Sequence, residues 1–257
     1  TINVTVNPEP SIADVVQTIC SGDTFTVTPT NTAPDVVPTG TTYTWTVTAP
    51  AGITGASNQA TGQTSISQTL ANTTSTSLSA IYTVTASVGT APNICTDTFD
   101  ITVTVNPKPN IADVTQAICT GNTFTVTPTN TAPDVVPTGT TYTWTVTTPA
   151  GITGASNQAT AQTSISQTLS NSTSNSIVVT YTVTASFGTA PNSCTDTFAI
   201  NVTVNPQPSI ADVVQTICSG DTFTVTPTNT APDVVPTGTT YTWTVAAAAG
   251  ITGASNQ

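Results

Sequence analysis

Residues 105–128, VNPKPNIADVTQAICTGNTFTVTP, return almost word for word at 6–29 and again at 204–227. The cysteines keep the same spacing: Cys20, Cys119 and Cys218 stand 99 residues apart, as do Cys95 and Cys194. A solenoid turn needs about 20 to 50 residues, so this longer period fits one whole domain per repeat. The sequence divides into the last strand of a preceding unit (1–7), two complete repeats (8–106 and 107–205) and a truncated third (206–257). TINVTVNP at 1–8 matches DITVTVNP at 100–107, and Gln257 falls in mid-unit, so the expected whole is longer than this chain. A catalytic site is normally built once per chain. Copying this faithful points instead to the number of copies and the distance they span.

Within a repeat, period-two alternation marks the strands. Phe25 and Val27 share one face and Thr24, Thr26 and Thr28 the other; Tyr43, Trp45 and Val47 oppose Thr44 and Thr46. Tyr82, Val84 and Ala86 form a third apolar face, and Phe99, Ile101, Val103 and Val105 a fourth. One face buries a core and the other meets water, as antiparallel two-sheet packing requires. Thr, Val, Ile, Tyr and Trp all favour strands, so the chain is expected to be all-β. Six or seven strands in each repeat, with a Trp in the third, predict an immunoglobulin-like β-sandwich with Trp45, Trp144 and Trp243 in the core. The junctions read NPEP, NPKP and NPQP. Two prolines in four residues make a short, semi-rigid connector, so neighbouring domains should hold a fixed relative direction.

The charge excludes one class of partner. Twelve acidic residues stand against a single lysine, a formal net charge of -11, which phosphate backbones would repel; no nucleic acid is expected as a partner. No apolar run is long enough to span a bilayer. The chain contains no His, which removes Ser-His-Asp and Cys-His nucleophile activation and histidine metal sites together. Asp97 and Asp100 are three apart, a spacing that sends them to opposite faces of a strand, and Asp100 becomes Ala199 one repeat on. The chain is therefore not expected to be an enzyme, and no catalytic residue or cofactor is assigned. Calcium is the one ion weighed, since carboxylates and carbonyl oxygens can hold it. Its candidates, Asp14, Asp35, Asp113 and Asp134, are weak because no Asp-x-Asp-x-Asp ladder accompanies them. Asn3, Asn72, Asn171 and Asn201 begin N-x-[ST] sequons, which a Thr-rich chain produces often by chance. Lys108 lies in a linker, where it cannot serve a lysine–asparagine isopeptide in each repeat.

Periodic cysteines without His or CxxC spacing fit disulfides in an oxidising, extracellular setting. The simplest pairing lies inside each repeat, Cys20 with Cys95 and Cys119 with Cys194, and leaves Cys218 to a partner elsewhere. Closing loops of that size stabilises each domain by roughly 4 kcal/mol in the chain-entropy model. A second geometry stays open. An odd number of strands between Cys20 and Cys95 puts them at opposite ends of the sandwich, and Cys20 then faces Cys194 of the next repeat.

ICSGDTFTVTP, TTYTWTV, YTVTAS and the closing C-T-D-T-F-x-I-x-V-T-V-N-P-x-P together resemble the PKD-like, immunoglobulin-like repeats of very large Bacteroidetes cell-surface adhesins. The resemblance covers essentially the whole chain, although the aspartate-rich DFGDG signature of many PKD domains is missing. Such adhesins include the SprB-type gliding-motility adhesins, exported by type IX secretion. The resemblance implies an extracellular, cell-surface shaft: a string of sandwiches whose partners are the neighbouring repeats and whose surface or glycan ligand is met by other regions. At about 3.3 Å per strand residue, each domain would add roughly 30 to 40 Å of reach. The rival reading is a multivalent carbohydrate-binding array that gains by avidity. It calls for exposed aromatics at loop tips, for which Phe187 is the nearest candidate and Val88 its counterpart in the first repeat.

Overall fold

The computed structural model describes residues 1–4 and 6–257. In the first repeat the alternating segments become β1 (Val15–Cys20), β2 (Thr24–Val27), β3 (Thr42–Thr48), β4 (Ile53–Thr54), β5 (Gln59–Gln63), β6 (Ile66–Thr69), β7 (Ala71–Asn72), β8 (Leu78–Thr90) and β9 (Asn93–Asn106). Five strands pair in the order β1-β9-β8-β3-β5; β2 pairs β6 and β4 pairs β7 across the core from them. Every pairing is antiparallel except one. β1 runs parallel to β9, with Val15 beside Ile101 and Cys20 beside Asn106.

The second repeat copies this plan as β10 (Val114–Cys119), β11 (Thr123–Val126), β12 (Thr141–Val146), β13 (Ile152–Thr153), β14 (Gln158–Gln162), β15 (Ile165–Thr168), β16 (Ser170–Asn171), β17 (Ile177–Phe187) and β18 (Cys194–Asn205). β10 again lies parallel to β18, Cys119 beside Asn205. The two all-β immunoglobulin-like sandwiches therefore stand in tandem.

The alternating faces pack as read. Phe25, Tyr43, Trp45, Tyr82, Val84, Phe99, Ile101 and Val103 are all buried, and each such side chain contributes roughly 1.5 to 3 kcal/mol by leaving water. Phe25 tilts onto Tyr82 at 5.0 Å between ring centroids, and Tyr43 meets Phe99 edge-on. The polar ends of these large rings are satisfied by one small network. Trp45 Nε1 donates to the Ser57 carbonyl (3.0 Å), Gln68 Nε2 donates to the same oxygen (2.7 Å), and Tyr82 Oη donates to Gln68 Oε1 (2.8 Å). The second repeat repeats it with Trp144, Ser156, Gln167 and Tyr181.

Two expectations are corrected. Trp243 is 49% exposed, because residues 206–257 do not include the counterparts of β8 and β9 that cover Trp45. Among the described residues of 1–7 there is no strand, for a similar reason: no counterparts of β1 and β8 precede them in this sequence to flank such a strand. Residues 206–257 themselves hold turns and the Ser209–Val234 bridge without an assigned strand.

Asn72, the head of a sequon, is a buried brace. Its Nδ2 donates to the Thr76 and Val105 carbonyls (2.7 and 2.9 Å), and its Oδ1 accepts from Thr74 N and Thr74 Oγ1 (2.9 and 2.8 Å). Asn171 does the same with Asn175, Val204 and Thr173. An amide whose two hydrogens are spent inside the fold is closed to a glycan. Asn72→Ala leaves the carbonyls of Val105 and Thr76 without that donor, and is expected to destabilise the first repeat by roughly 2 to 3 kcal/mol in urea unfolding.

Burial pushes the phenols of Tyr82 and Tyr181 up to about 12 from the usual 10. A raised folded-state pKa means the stabilisation is complete below the unfolded value and is lost as pH climbs through the folded one. Stability should therefore decline between about pH 10 and pH 12. Tyrosinate absorbance of the folded chain should show Tyr82 and Tyr181 among its late-titrating phenols, and Tyr82→Phe should remove one of them.

Candidate functional site

The parallel register of β1 on β9 decides what the ends of each sandwich carry. Cys20 closes β1 beside Asn106, the last residue of β9, and Ser21 N donates to the Asn106 carbonyl (2.8 Å). Cys20 is thus held at the pole where the chain leaves the first repeat. Cys194 opens β18, whose other end, Asn205, lies at the exit pole of the second repeat. It sits at the entry pole, facing the first repeat.

Between these poles the two cysteines are joined. Cys20 and Cys194 form a disulfide with their Cα atoms 5.5 Å apart and a sequence separation of 174. The intradomain pairing is overturned, and the reason is distance. Cys95 lies at the start of β9 and Cys20 beside its end, eleven rungs away along the strand. At about 3.3 Å per rung that is roughly 36 Å, several times what a disulfide spans. The same separation divides Cys119 from Cys194. Cys95 and Cys119 are free thiols, half-exposed and exposed respectively, and Cys218 is free in the third repeat.

Further contacts hold the joint. Pro107 and Pro109 of the linker are buried, and Asn110 is fastened to Val135 by a pair of backbone hydrogen bonds (2.9 and 2.8 Å). Proline brings no N–H to be left unpaired on leaving β9, so the linker can dock at no hydrogen-bonding cost. From the same Pro-rich loop, Asn130 Nδ2 donates to Ser75 Oγ of the first repeat (3.0 Å). Gly188, at φ +85°, brings the β17–β18 loop close: a Cβ added there would stand 3.8 Å from Asn106 Nδ2. Disulfide, linker and loop contact meet the pole at three places, which restrains bend and twist together.

The second joint repeats part of this arrangement, with Pro206 half-buried, Pro208 exposed and, among the described residues, no disulfide across it. Asn229 Nδ2 donates to Ser174 Oγ (2.7 Å), Thr120 N to the Asn205 carbonyl (2.9 Å), and Ser209 and Val234 exchange the linker bonds. Asn130 and Ser75 carried no chemical motif in sequence. The signal that could have found them is their common 99-residue period with Asn229 and Ser174.

The calcium candidates serve as latches. Asp35 Oδ1 accepts from Ala13 N (3.0 Å) and Asp134 Oδ1 from Ala112 N (3.0 Å), while Asp14 and Asp113 accept from the N–H groups of Asp100 and Ala199 (2.8 and 2.7 Å). They tie the segment after each linker to its own sandwich. Among the described residues no three His, Cys, Asp or Glu groups converge to hold a metal. Lys108 pairs with Asp196 at 3.6 Å, again beside the linker. Phe187, the nearest aromatic candidate for a glycan, is half-buried opposite Cys194 at the end of β17, in the joint itself.

The PKD-like domain description matches residues 17–109 and again 116–208, well over half of the chain. The chain belongs to the PKD-like domain family. No curated protein matches it. Among solved structures it is similar to an I-band fragment of titin (13% identity, TM-score 0.29, covering 78% of this chain and 64% of that one). It is also similar to a SusE-like surface located polysaccharide binding protein of Bacteroides thetaiotaomicron (11%, 0.32, 80% and 34%). A third is the N-terminal eight Ig domains of Down syndrome cell adhesion molecule (11%, 0.32, 82% and 29%). The chain spans less than two thirds of the length of each of these three.

In these PKD-like repeats the disulfide reroutes tension. A pull on the two ends passes along β1 to Cys20, across to Cys194 and on through β18, so the 174-residue separation between them is closed off from stretching. Force spectroscopy of the oxidised chain should show a final extension shorter by roughly 600 Å, at about 3.5 Å per residue, than that of the reduced chain or of Cys20→Ser. Equal extensions would contradict the interdomain bond.

Proposed function

We propose that this chain is a stretch of the structural shaft of an extracellular adhesin filament, which projects an adhesive region away from the cell surface. The observation that carries the proposal is the disulfide across the joint. A covalent bond placed between domains, where it leaves each core unaltered, serves the direction and tensile continuity of the string. Disulfides belong to oxidising surroundings, which supports an extracellular site. Recurrence of the Asn–Ser contact and of the linker hydrogen bonds at the second boundary supports a regular rod.

The surface fits the same reading. Outward strand positions carry Thr and Ser, such as the cross-strand pairs Thr44–Thr85 and Thr85–Thr98. These solvate a chain with few charges. A groove of about 500 Å³ is a shallow trough lined by Thr145, Val146, Asn157, Val178 and Thr180. The resemblance to SprB-type adhesins extends the proposal to gliding motility and type IX export, with the neighbouring repeats as this segment's partners and catalysis no part of its role.

The test is binding of the 257-residue chain to a panel of polysaccharides and cell-surface glycans, with and without a calcium chelator, beside electron microscopy of the same sample. The shaft reading predicts straight rods and no saturable binding at high micromolar concentration. Saturable binding would overturn it in favour of a multivalent carbohydrate-binding array, and loss of that binding on chelation would turn the latch aspartates into a calcium site.

A further inference from the structure

We propose that Cys119 and Cys95 are the two ends of further staples of the same kind, so that every joint of the array is crossed by one disulfide and the shaft contains two continuous covalent strings. Each string needs a partner of defined chemistry. For Cys119 it is a following repeat of this family that presents a cysteine at the start of its last strand, 174 residues on, as Cys194 follows Cys20. For Cys95 it is a preceding repeat that presents a cysteine at the end of its first strand, 174 residues back.

The geometry assigns these partners by register and by elimination. Cys119 stands beside Asn205 as Cys20 stands beside Asn106, at the exit pole of its sandwich. The joint it faces already shows the side-chain contact of the stapled one, Asn229 with Ser174 copying Asn130 with Ser75. Cys95 and Cys119 cannot satisfy each other, since Cys95 is at the entry pole of the first repeat and Cys119 at the exit pole of the second. Neither can reach the other cysteine of its own sandwich, for the distance given above.

The hairpins differ in the same sense. Where Cys194 is bonded, β17 and β18 stop pairing at Phe187–Cys194, and Cys194 is 1% exposed. Where Cys95 is free, the hairpin zips two rungs further, to Thr90–Asn93, and Cys95 is half-exposed. The Cys218 turn has the form of its stapled counterpart: Cys218 N donates to Asp221 Oδ2 as Cys20 N does to Asp23 Oδ2.

The consequence is mechanical. One string runs from Cys20 across to Cys194, along β18, through the linker after Asn205 and into the first-strand segment of the third repeat, which ends at Cys218. The other runs along β9 from Cys95, through the linker after Asn106, along β10 to Cys119 and onward. Within the second repeat the two strings are β18 and β10, adjacent parallel strands. Tension then passes through extended backbone and disulfides alone, and no sandwich has to unfold for the shaft to bear it. This extends the shaft reading and rests on it for what the strings carry.

Closing each staple oxidises two thiols. The oxidant is the CxxC disulfide of a thiol–disulfide oxidoreductase. One cysteine thiolate attacks it to form a mixed disulfide; the second cysteine thiolate attacks that bond, and the oxidoreductase leaves as a dithiol carrying the two electrons and two protons.

The test uses the full-length protein from its native cells, thiols blocked at lysis, digested without reduction by a protease that does not need basic residues, and mapped by mass spectrometry. The expected result is a cross-linked pair joining the peptide around Cys119 (QAICTGN) to a peptide from the start of a following repeat's last strand. A second pair should join APNICTD, around Cys95, to a first-strand peptide of a preceding repeat. Reduction should leave the mass on denaturing gels at that of a single chain. Recovery of Cys95 and Cys119 as blocked free thiols, a bond between the two, or bonds that join separate chains would each overturn the proposal. Straight rods without these cross-links would leave the shaft reading standing and remove the strings; cross-links in a chain that binds glycans would do the reverse.

Discussion

One strand pairing governs the rest of this structure: β1 lying parallel to β9. In an all-antiparallel sandwich a short first strand would end at the pole where the chain came in. Parallel pairing carries it the other way, so that Cys20 finishes beside Asn106 at the exit. The cysteine that opens the last strand is then at the opposite pole in every repeat. An intradomain bond becomes impossible by some tens of ångströms, and an interdomain bond becomes the short connection.

Much of the fold could be read directly. Period-two alternation placed Phe25, Tyr43, Trp45, Tyr82 and Phe99 in the core, and the 99-residue period set out the repeats. What could not be read was partnership. VVQTIC at Val15–Cys20 is a plausible strand in any sheet, and nothing in those six residues says which neighbour it takes or in which direction. The disulfide turned on that choice, because the number of strands between Cys20 and Cys95, odd or even, decides the pole, and six or seven strands in a repeat leave it open. Seven segments, β2 to β8, intervene, including β4 and β7 of two residues each, which carry almost no sequence signal. The count is odd with or without those two, and an odd count sends the two cysteines to opposite ends. Asn72 shows a second limit: a sequon describes three residues, whereas burial depends on Val105, thirty-three residues away.

The aspartates show how a repeated polar residue can serve the fold. Asp14, Asp35 and their copies recur with the period of the chain because each repeat must fasten the segment that follows its linker. A carboxylate accepting a backbone N–H does this at modest energetic gain, about 1.5 to 3 kcal/mol for a charged acceptor. With Pro107 and Pro109 buried and Asn110 bridged to Val135, the linker belongs to the sandwich that follows it. Stiffness at the joint therefore has three sources of different strength: a docked linker, a side-chain contact between Ser75 and Asn130, and a covalent bond.

The measurement that bears most directly on this account is the disulfide map of the oxidised 257-residue chain itself, digested without reduction. The account predicts a fragment that joins the residues around Cys20 to those around Cys194. Fragments joining Cys20 to Cys95 or Cys119 to Cys194 would contradict it, and with it the parallel placement of β1 on which the joint depends.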